Sequence, residues 1–179
     1  VTSINSLSVE EWDTSFGKVY SELIKAGALG LMAGHILLPA YSRLLRPGIQ
    51  DEELMPATLA PEILNDLLRQ KLGFNGVIFS DATLMAGFNA KGQRKELVPA
   101  AIATGCDICL FSRDWQEDLQ FMLAGVENGV ITPERLDDAV SRILAFKAAI
   151  GLHEQKAAAT LVPKDYAVVG NDEHQQWAA

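Results

Sequence analysis

The stretch Gly73-Phe74-Asn75-Gly76-Val77-Ile78-Phe79-Ser80-Asp81 places a carboxylate directly after a short apolar run. Val77, Ile78 and Phe79 follow closely on two glycines, a pattern that suits a strand covered on both faces. Ligands of parallel α/β folds bind at the carboxyl ends of strands, so an acid at that position is a candidate for chemistry. The competing reading is that Asp81 only caps the turn or helix that follows. His35 holds a similar place after the apolar run Leu29-Gly30-Leu31-Met32-Ala33. Its plain alternative is a histidine satisfied by loop backbone. Asp114 lies three residues past a third apolar segment and reads as the cap of a helix starting at Trp115. Cys106 and Cys109 have C-x-x-C spacing, but they sit where a strand begins. Residues three apart in a strand point to opposite faces, so the expectation is two free buried thiols and neither a metal site nor a disulfide.

The elements that must position these residues alternate. Ser8-Val9-Glu10-Glu11 is a capping box, and behind it Val9, Trp12, Phe16, Val19, Tyr20, Leu23 and Ile24 recur at helical spacing until Gly27. A strand near position 31 follows, and then an irregular loop over 36–56 containing Pro39, Pro47 and Gly48. Such a long connection is usually functional. Residues 60–72 form a helix with Ile63, Leu64, Leu67 and Leu68 inward. The strand ending at Asp81 comes next, followed by a second loop over 82–92. Residues 97–104 look helical, with Pro99 tolerable only near the first turn. A third strand falls at 108–111 and a helix at 115–128. Thr132-Pro133-Glu134 opens a last helix whose inner face is Leu136, Val140, Ile143, Leu144 and Phe146. Beyond Leu152 the pattern thins, so residues 1–152 are expected to form one domain and 153–179 a linker and the start of another. Residues 166–170 could form a strand there, and His153 and His174 read as surface residues.

Three strands centred near 31, 78 and 109 alternate with helices, so the sheet should be parallel. A closed (β/α)8 barrel takes about 250 residues and eight such units. The fold class expected is therefore α/β, as a partial (β/α)8 barrel of about three βα units with a closing helix. A small open sheet is the alternative.

Composition narrows the partners. The net charge of −8 argues against a nucleic-acid backbone or an anionic membrane surface. No stretch reaches the roughly 20 apolar residues of a membrane helix, and the first residues carry no signal-peptide pattern. Reduced cysteines fit the cytoplasm, with the periplasm as the alternative.

Taken together in order, several motifs resemble the family 3 glycoside hydrolases, in the branch of bacterial β-N-acetylhexosaminidases and β-glucosidases. Leu31-Met32-Ala33-Gly34-His35 with Pro39 looks like the sixth barrel strand and its loop. Pro56-Ala57-Thr58-Leu59, Leu67-Leu68-Arg69 and Leu72-Gly73-Phe74-Asn75-Gly76 look like the approach to the seventh, and Ser80-Asp81 with Met85 is similar to the motif that carries the nucleophile. Gly105-Cys106-Asp107 lies in a stretch resembling the eighth strand, and Arg135-Leu136 through Gly151-Leu152 resembles the closing helix.

The resemblance implies a retaining β-glycosidase segment removing terminal β-linked N-acetylglucosamine, with Asp81 as nucleophile and His35 and Met85 as substrate-binding residues. A β-glucosidase is the alternative within the family. It implies no metal and no cofactor; the partners are the β-glycoside and the rest of the barrel. A Lys-His-Phe-Pro-Gly motif and the acid/base residue of the family have no counterpart here. Residues 169–174 resemble the start of a second domain. The readings from other classes are a non-catalytic half-barrel that folds with a partner chain, or another barrel enzyme such as a lyase or isomerase.

Overall fold

The computed structural model describes residues 3–154. The chain divides into two compact units, Val1–Phe146 and Lys147–Ala179. The expected strand at 166–170, the linker before it, His174 and the 169–174 motif lie outside the described residues.

The first unit is a mixed α/β structure. Its strands are β1 (Ser3–Ile4), β2 (Gly30–Ala33), β3 (Ile36–Leu37) and β4 (Val77–Ser80). They form two parallel pairs, β1 with β3 and β2 with β4. The second pair runs in register from Gly30↔Val77 to Ala33↔Ser80. Parallel pairing agrees with the expectation from alternating units, but these short ladders do not join into one continuous arc. The third strand expected near 109 is reduced to a single parallel bridge, Phe79↔Ile108. Ile78 O accepts from Asp107 N and Ile108 N at 2.8 and 3.2 Å, and Ser80 N donates to Ile108 O at 2.9 Å. The amide of Leu110 is then captured by Ser80 Oγ at 2.9 Å, and Phe111 turns to a φ of 48°. A ladder cannot continue through a left-handed residue whose neighbour has already lost its partner carbonyl.

Helices cover the strands. α1 (Val9–Trp12) opens on the expected box, with Glu11 N donating to Ser8 Oγ at 3.2 Å and Ser8 N to Glu11 Oε2 at 2.9 Å. A wider turn over Asp13–Gly17 leads into α2 (Lys18–Lys25). The loop expected over 36–56 is more ordered than its prolines suggested. It holds β3, α3 (Pro39–Leu45) and a short 3-10 turn at Asp51–Glu53. Pro39 presets the first helical φ, and Tyr41 is buried edge-on against Trp12 at 5.0 Å, which supplies the core contact that local pattern did not reveal. The helix Glu62–Lys71 buries Ile63, Leu64, Leu67 and Leu68 as expected. After β4 come α4 (Ala86–Asn89), α5 (Arg94–Thr104), α6 (Trp115–Glu127) and α7 (Pro133–Ala149). α5 begins earlier than expected and takes Pro99 into its interior, because the helix starts at Gln93, whose carbonyl accepts from Glu96 N and Leu97 N.

The inner face of α7 departs most from the expected one. Leu136, Val140 and Leu144 are exposed, and the buried residue is Ala139. The helix is instead held by arginines. Arg135 Nη2 donates to Asp107 Oδ1 at 2.7 Å and to Cys106 O at 2.8 Å, and Arg142 Nη1 donates to Asn75 O at 2.9 Å. Asp107, with its side chain wholly buried, also receives Arg69 Nη2 at 2.8 Å and the amide of Ile78 at 2.9 Å. Arg69 in turn bonds the carbonyls of Phe74 and Gly76 at 3.1 and 2.5 Å. Burial pulls the Arg69 guanidinium below its usual value, and the Asp107 charge works against that shift. One carboxylate thus ties together β4, the helix before it, the segment after α5, and α7.

Both cysteines are free thiols, as expected. Burial pushes the Cys109 thiol up to about 12 and raises Cys106 as well, so neither is a thiolate near neutral pH.

Two substitutions in the intact protein test this frame. Asp107→Ala leaves two guanidinium groups and the Ile78 amide without their acceptor, and removing one partner of a buried ion pair costs about 3–5 kcal/mol. Denaturant titration should show that loss; a stability equal to wild type would refute the tie. Gly76 is the second point, since a Cβ there would overlap the Leu29 carbonyl. Gly76→Ala forces backbone apart at the entry to the β2–β4 pair and should lower stability by about 1–3 kcal/mol, visible as a fall in Tm.

Candidate active site

Asp81 is the first residue past β4. Its amide donates to Ala33 O at 3.0 Å, so it leaves the sheet beside the carboxyl end of β2. The two parallel strand ends therefore lie together, with Gly34 and His35 following one and Asp81 following the other. Asp81 is half-buried, and its Oδ1 accepts from the amide of Ala82 at 2.7 Å. No helix begins there: the next, α4, starts at Ala86 behind Met85. The capping alternative for Asp81 thus has no adjacent helix to serve. By contrast, Asp114 caps α6 as expected, accepting from Gln116 N and Glu117 N at 2.9 and 3.2 Å.

His35 is buried, at 4% exposure, and both ring nitrogens are engaged within the protein. Nδ1 lies 2.9 Å from Thr58 Oγ1 and Nε2 lies 3.0 Å from Ala82 O. A carbonyl only accepts, so Nε2 bears a proton. The ring packs against Phe88 at 5.1 Å. Gly87 allows this closeness, since a Cβ there would come within 3.0 Å of His35 Cβ. Met85 is exposed on the same loop, and its amide donates to Ala82 O at 3.0 Å. Asp81, His35 and Met85 thus converge on Ala82, through its amide in one case and its carbonyl in the other two.

Several residues around this loop escaped the sequence reading. Thr58, in the turn Ala57–Leu59, donates toward Ala33 O and Gly34 O at 3.0 and 3.1 Å. Arg94 Nη1 and Asn89 Nδ2 donate to Thr83 O at 2.7 and 2.9 Å. Arg94 also pairs with Asp118, whose other oxygen accepts from Ser112 Oγ at 2.6 Å. Thr83 N and Oγ1 reach Leu110 O and Phe111 O, both at 3.3 Å. Thr58 stood in a quoted motif, Pro56-Ala57-Thr58-Leu59, but nothing local marks its hydroxyl as a partner for a histidine 23 residues away.

A cavity of about 210 Å³ lies elsewhere, lined mainly by apolar side chains including Trp12, Phe16, Leu31, Met32, Ile36 and Leu64; Asp81, His35 and Met85 are not part of it. Among the described residues, no group of three His, Cys, Asp or Glu is placed to hold a metal ion, and no helix is long and apolar enough to cross a membrane. His153 is exposed beside Glu154.

Residues 2–146 match the glycosyl hydrolase family 3 N-terminal domain. The chain is 51% identical over 178 residues to a β-N-acetylglucosaminidase/β-glucosidase of Cellulomonas fimi, covering 96% of this chain and 32% of that protein. It is 36% identical over 107 residues to a β-hexosaminidase of Chromobacterium violaceum, covering 60% of this chain and 27% of that one. Among solved structures, the β-glucoside phosphorylase BglX bound to 2FGlc superimposes with a TM-score of 0.89 at 39% identity, over 99% of this chain and 32% of that one. A family 3 β-N-acetylglucosaminidase from Paenibacillus sp. str. FPU-7 gives 0.78 at 30% identity, over 97% and 31%. The chain therefore spans about a third of the length of these relatives. With the family match covering most of its length and Asp81 set at a parallel strand end, the chain belongs to glycosyl hydrolase family 3, within the N-terminal domain.

Proposed function

We propose that this chain supplies the nucleophile-bearing part of a retaining β-glycosidase acting on terminal β-linked N-acetylglucosamine, with glucose as the alternative sugar. The observation that carries the reading is Asp81, half-buried at the joined carboxyl ends of β2 and β4, in a chain of this family. Its carboxylate attacks the anomeric carbon, the glycosidic C–O bond breaks, and a covalent glycosyl-enzyme forms. The leaving oxygen takes its proton from an acid outside these 179 residues. A retaining pair needs its carboxyl groups about 5–5.5 Å apart, or an equivalent acid at similar reach. Met85, exposed beside Asp81, is suited to line the apolar face of the sugar ring. His35 has both ring nitrogens spent within the protein, which favours support of the loop over contact with the sugar.

The fold reading is an arc of a (β/α)8 barrel. Its support is the order of neighbours: β1 beside β3, β2 beside β4, and β4 beside Ile108, all parallel. Exposed apolar side chains on several elements, including Met32 on β2 and Leu136, Val140 and Leu144 on α7, support packing against further polypeptide.

A second reading concerns the acceptor. The structural neighbour at 39% identity is a phosphorylase, in which phosphate takes the place of water in releasing the sugar. Both readings share Asp81 and differ only in the second half-reaction.

In the intact enzyme, Asp81→Asn should lower kcat on an aryl β-N-acetylglucosaminide by at least about 1000-fold. Wild-type turnover in that variant would sink the assignment. Assays with and without inorganic phosphate decide the acceptor: a sugar 1-phosphate product assigns a phosphorylase, and free sugar in both assays assigns a hydrolase.

A further inference from the structure

We propose that Thr58 and His35 are positioning residues, which hold the Ala82 backbone and through it the Asp81 carboxylate in the orientation that attack requires. The inference rests on the reading of Asp81 as nucleophile.

The polar chain is continuous. Thr58 Oγ1 is anchored at Ala33 O and Gly34 O, the carbonyls at the end of β2, and meets His35 Nδ1 at 2.9 Å. His35 Nε2 donates to Ala82 O at 3.0 Å, and the amide of the same residue donates to Asp81 Oδ1 at 2.7 Å. Fixing the Ala82 carbonyl limits rotation of Ala82 about its own Cα, and so limits where its amide points. That amide sets which carboxylate oxygen is occupied and how the group faces the strand end.

The opposite side is fixed separately. Thr83 O is gripped by Arg94 and Asn89, and Arg94 is held by Asp118. Two consecutive carbonyls after the nucleophile are thus clamped by side chains from different elements. Thr58 and His35 form the clamp nearer to Asp81.

A purely space-filling role does not account for this arrangement. Thr58 is wholly buried and His35 nearly so, and burying their polar atoms costs stability unless each is bonded. An apolar pair of similar shape would fill the same room without that cost. The bonds run to the peptide next to the carboxylate, where displacement of a reacting group by about 1 Å can cost roughly 100-fold in rate.

The test uses the intact enzyme with Thr58→Val, Thr58→Ser and His35→Gln. A 2,4-dinitrophenyl β-N-acetylglucosaminide needs no acid assistance, so its kcat/KM reports the attack by Asp81. Thr58→Val keeps the shape and removes the hydroxyl, and should lower that kcat/KM by about 10- to 100-fold. The Ki for N-acetylglucosamine should stay at its wild-type value, with Thr58→Ser recovering most of the rate. His35→Gln keeps an N–H donor within reach of Ala82 O and should fall between Thr58→Val and wild type. It also carries the test if Thr58→Val does not fold. Wild-type kcat/KM in Thr58→Val overturns the inference. So does a loss that tracks Tm across all three variants and is not recovered by Thr58→Ser. Asp81→Asn separates the two readings. If it is inactive while Thr58→Val is unimpaired, only the positioning role fails; if it turns over normally, the nucleophile itself is misassigned.

Discussion

The frame depends on one buried carboxylate. Asp107 accepts from Arg69, Arg135 and the amide of Ile78 within 2.7–2.9 Å, with its side chain fully removed from water. A lone buried charge would be costly, and a paired one is tolerated only with good geometry and satisfied lone pairs. Here the geometry recruits a different element through each partner. Arg69 comes from the helix before β4, Ile78 from β4 itself, and Arg135 from α7. The carboxylate sits near the middle of β4, three residues before Asp81. Anything that loosens it moves the strand whose end carries the candidate nucleophile.

Order is passed from that anchor to the strand end. The β2–β4 register and the Asp81 N–Ala33 O bond set the two strand ends side by side. Past them the chain has no ladder to follow, so side chains take over. Ser80 Oγ captures the Leu110 amide, His35 takes Ala82 O, and Arg94 with Asn89 takes Thr83 O. The ladder to the 108–111 segment ends at the same place, and the left-handed Phe111 offers its carbonyl to Thr83. Regular pairing is lost where the functional loop begins, which is where strain and irregular backbone are commonly found.

Much of the local structure was legible. The Ser8–Glu11 box, the Asp114 and Thr132 caps and the apolar run 77–80 depend on neighbours a few residues apart, and each appears where the spacing put it. The ordered motifs from Leu31 to Leu152 pointed to the family. Less legible were contacts between distant residues. The apolar stripe of α7 was read as its inner face, whereas Arg135 and Arg142 hold the helix and Leu136, Val140 and Leu144 remain exposed. Periodicity ranks residues by hydrophobicity, and it has no means of knowing that a buried acid awaits the arginines. The order within 36–56 was missed because a buried Tyr41 meeting Trp12 is a contact across 29 residues.

By itself the sequence determined that a carboxylate ends a buried strand, that parallel units surround it, and that the chain resembles one glycosidase family. These follow from short-range spacing and from motif order. Only the tertiary structure decided what holds that carboxylate and what His35 does with its two nitrogens. It linked Thr58 to His35, His35 to Ala82, and Ala82 to Asp81. The physical reason is that a buried polar atom must find a partner, and the chain's fold, not its local pattern, selects which one it meets.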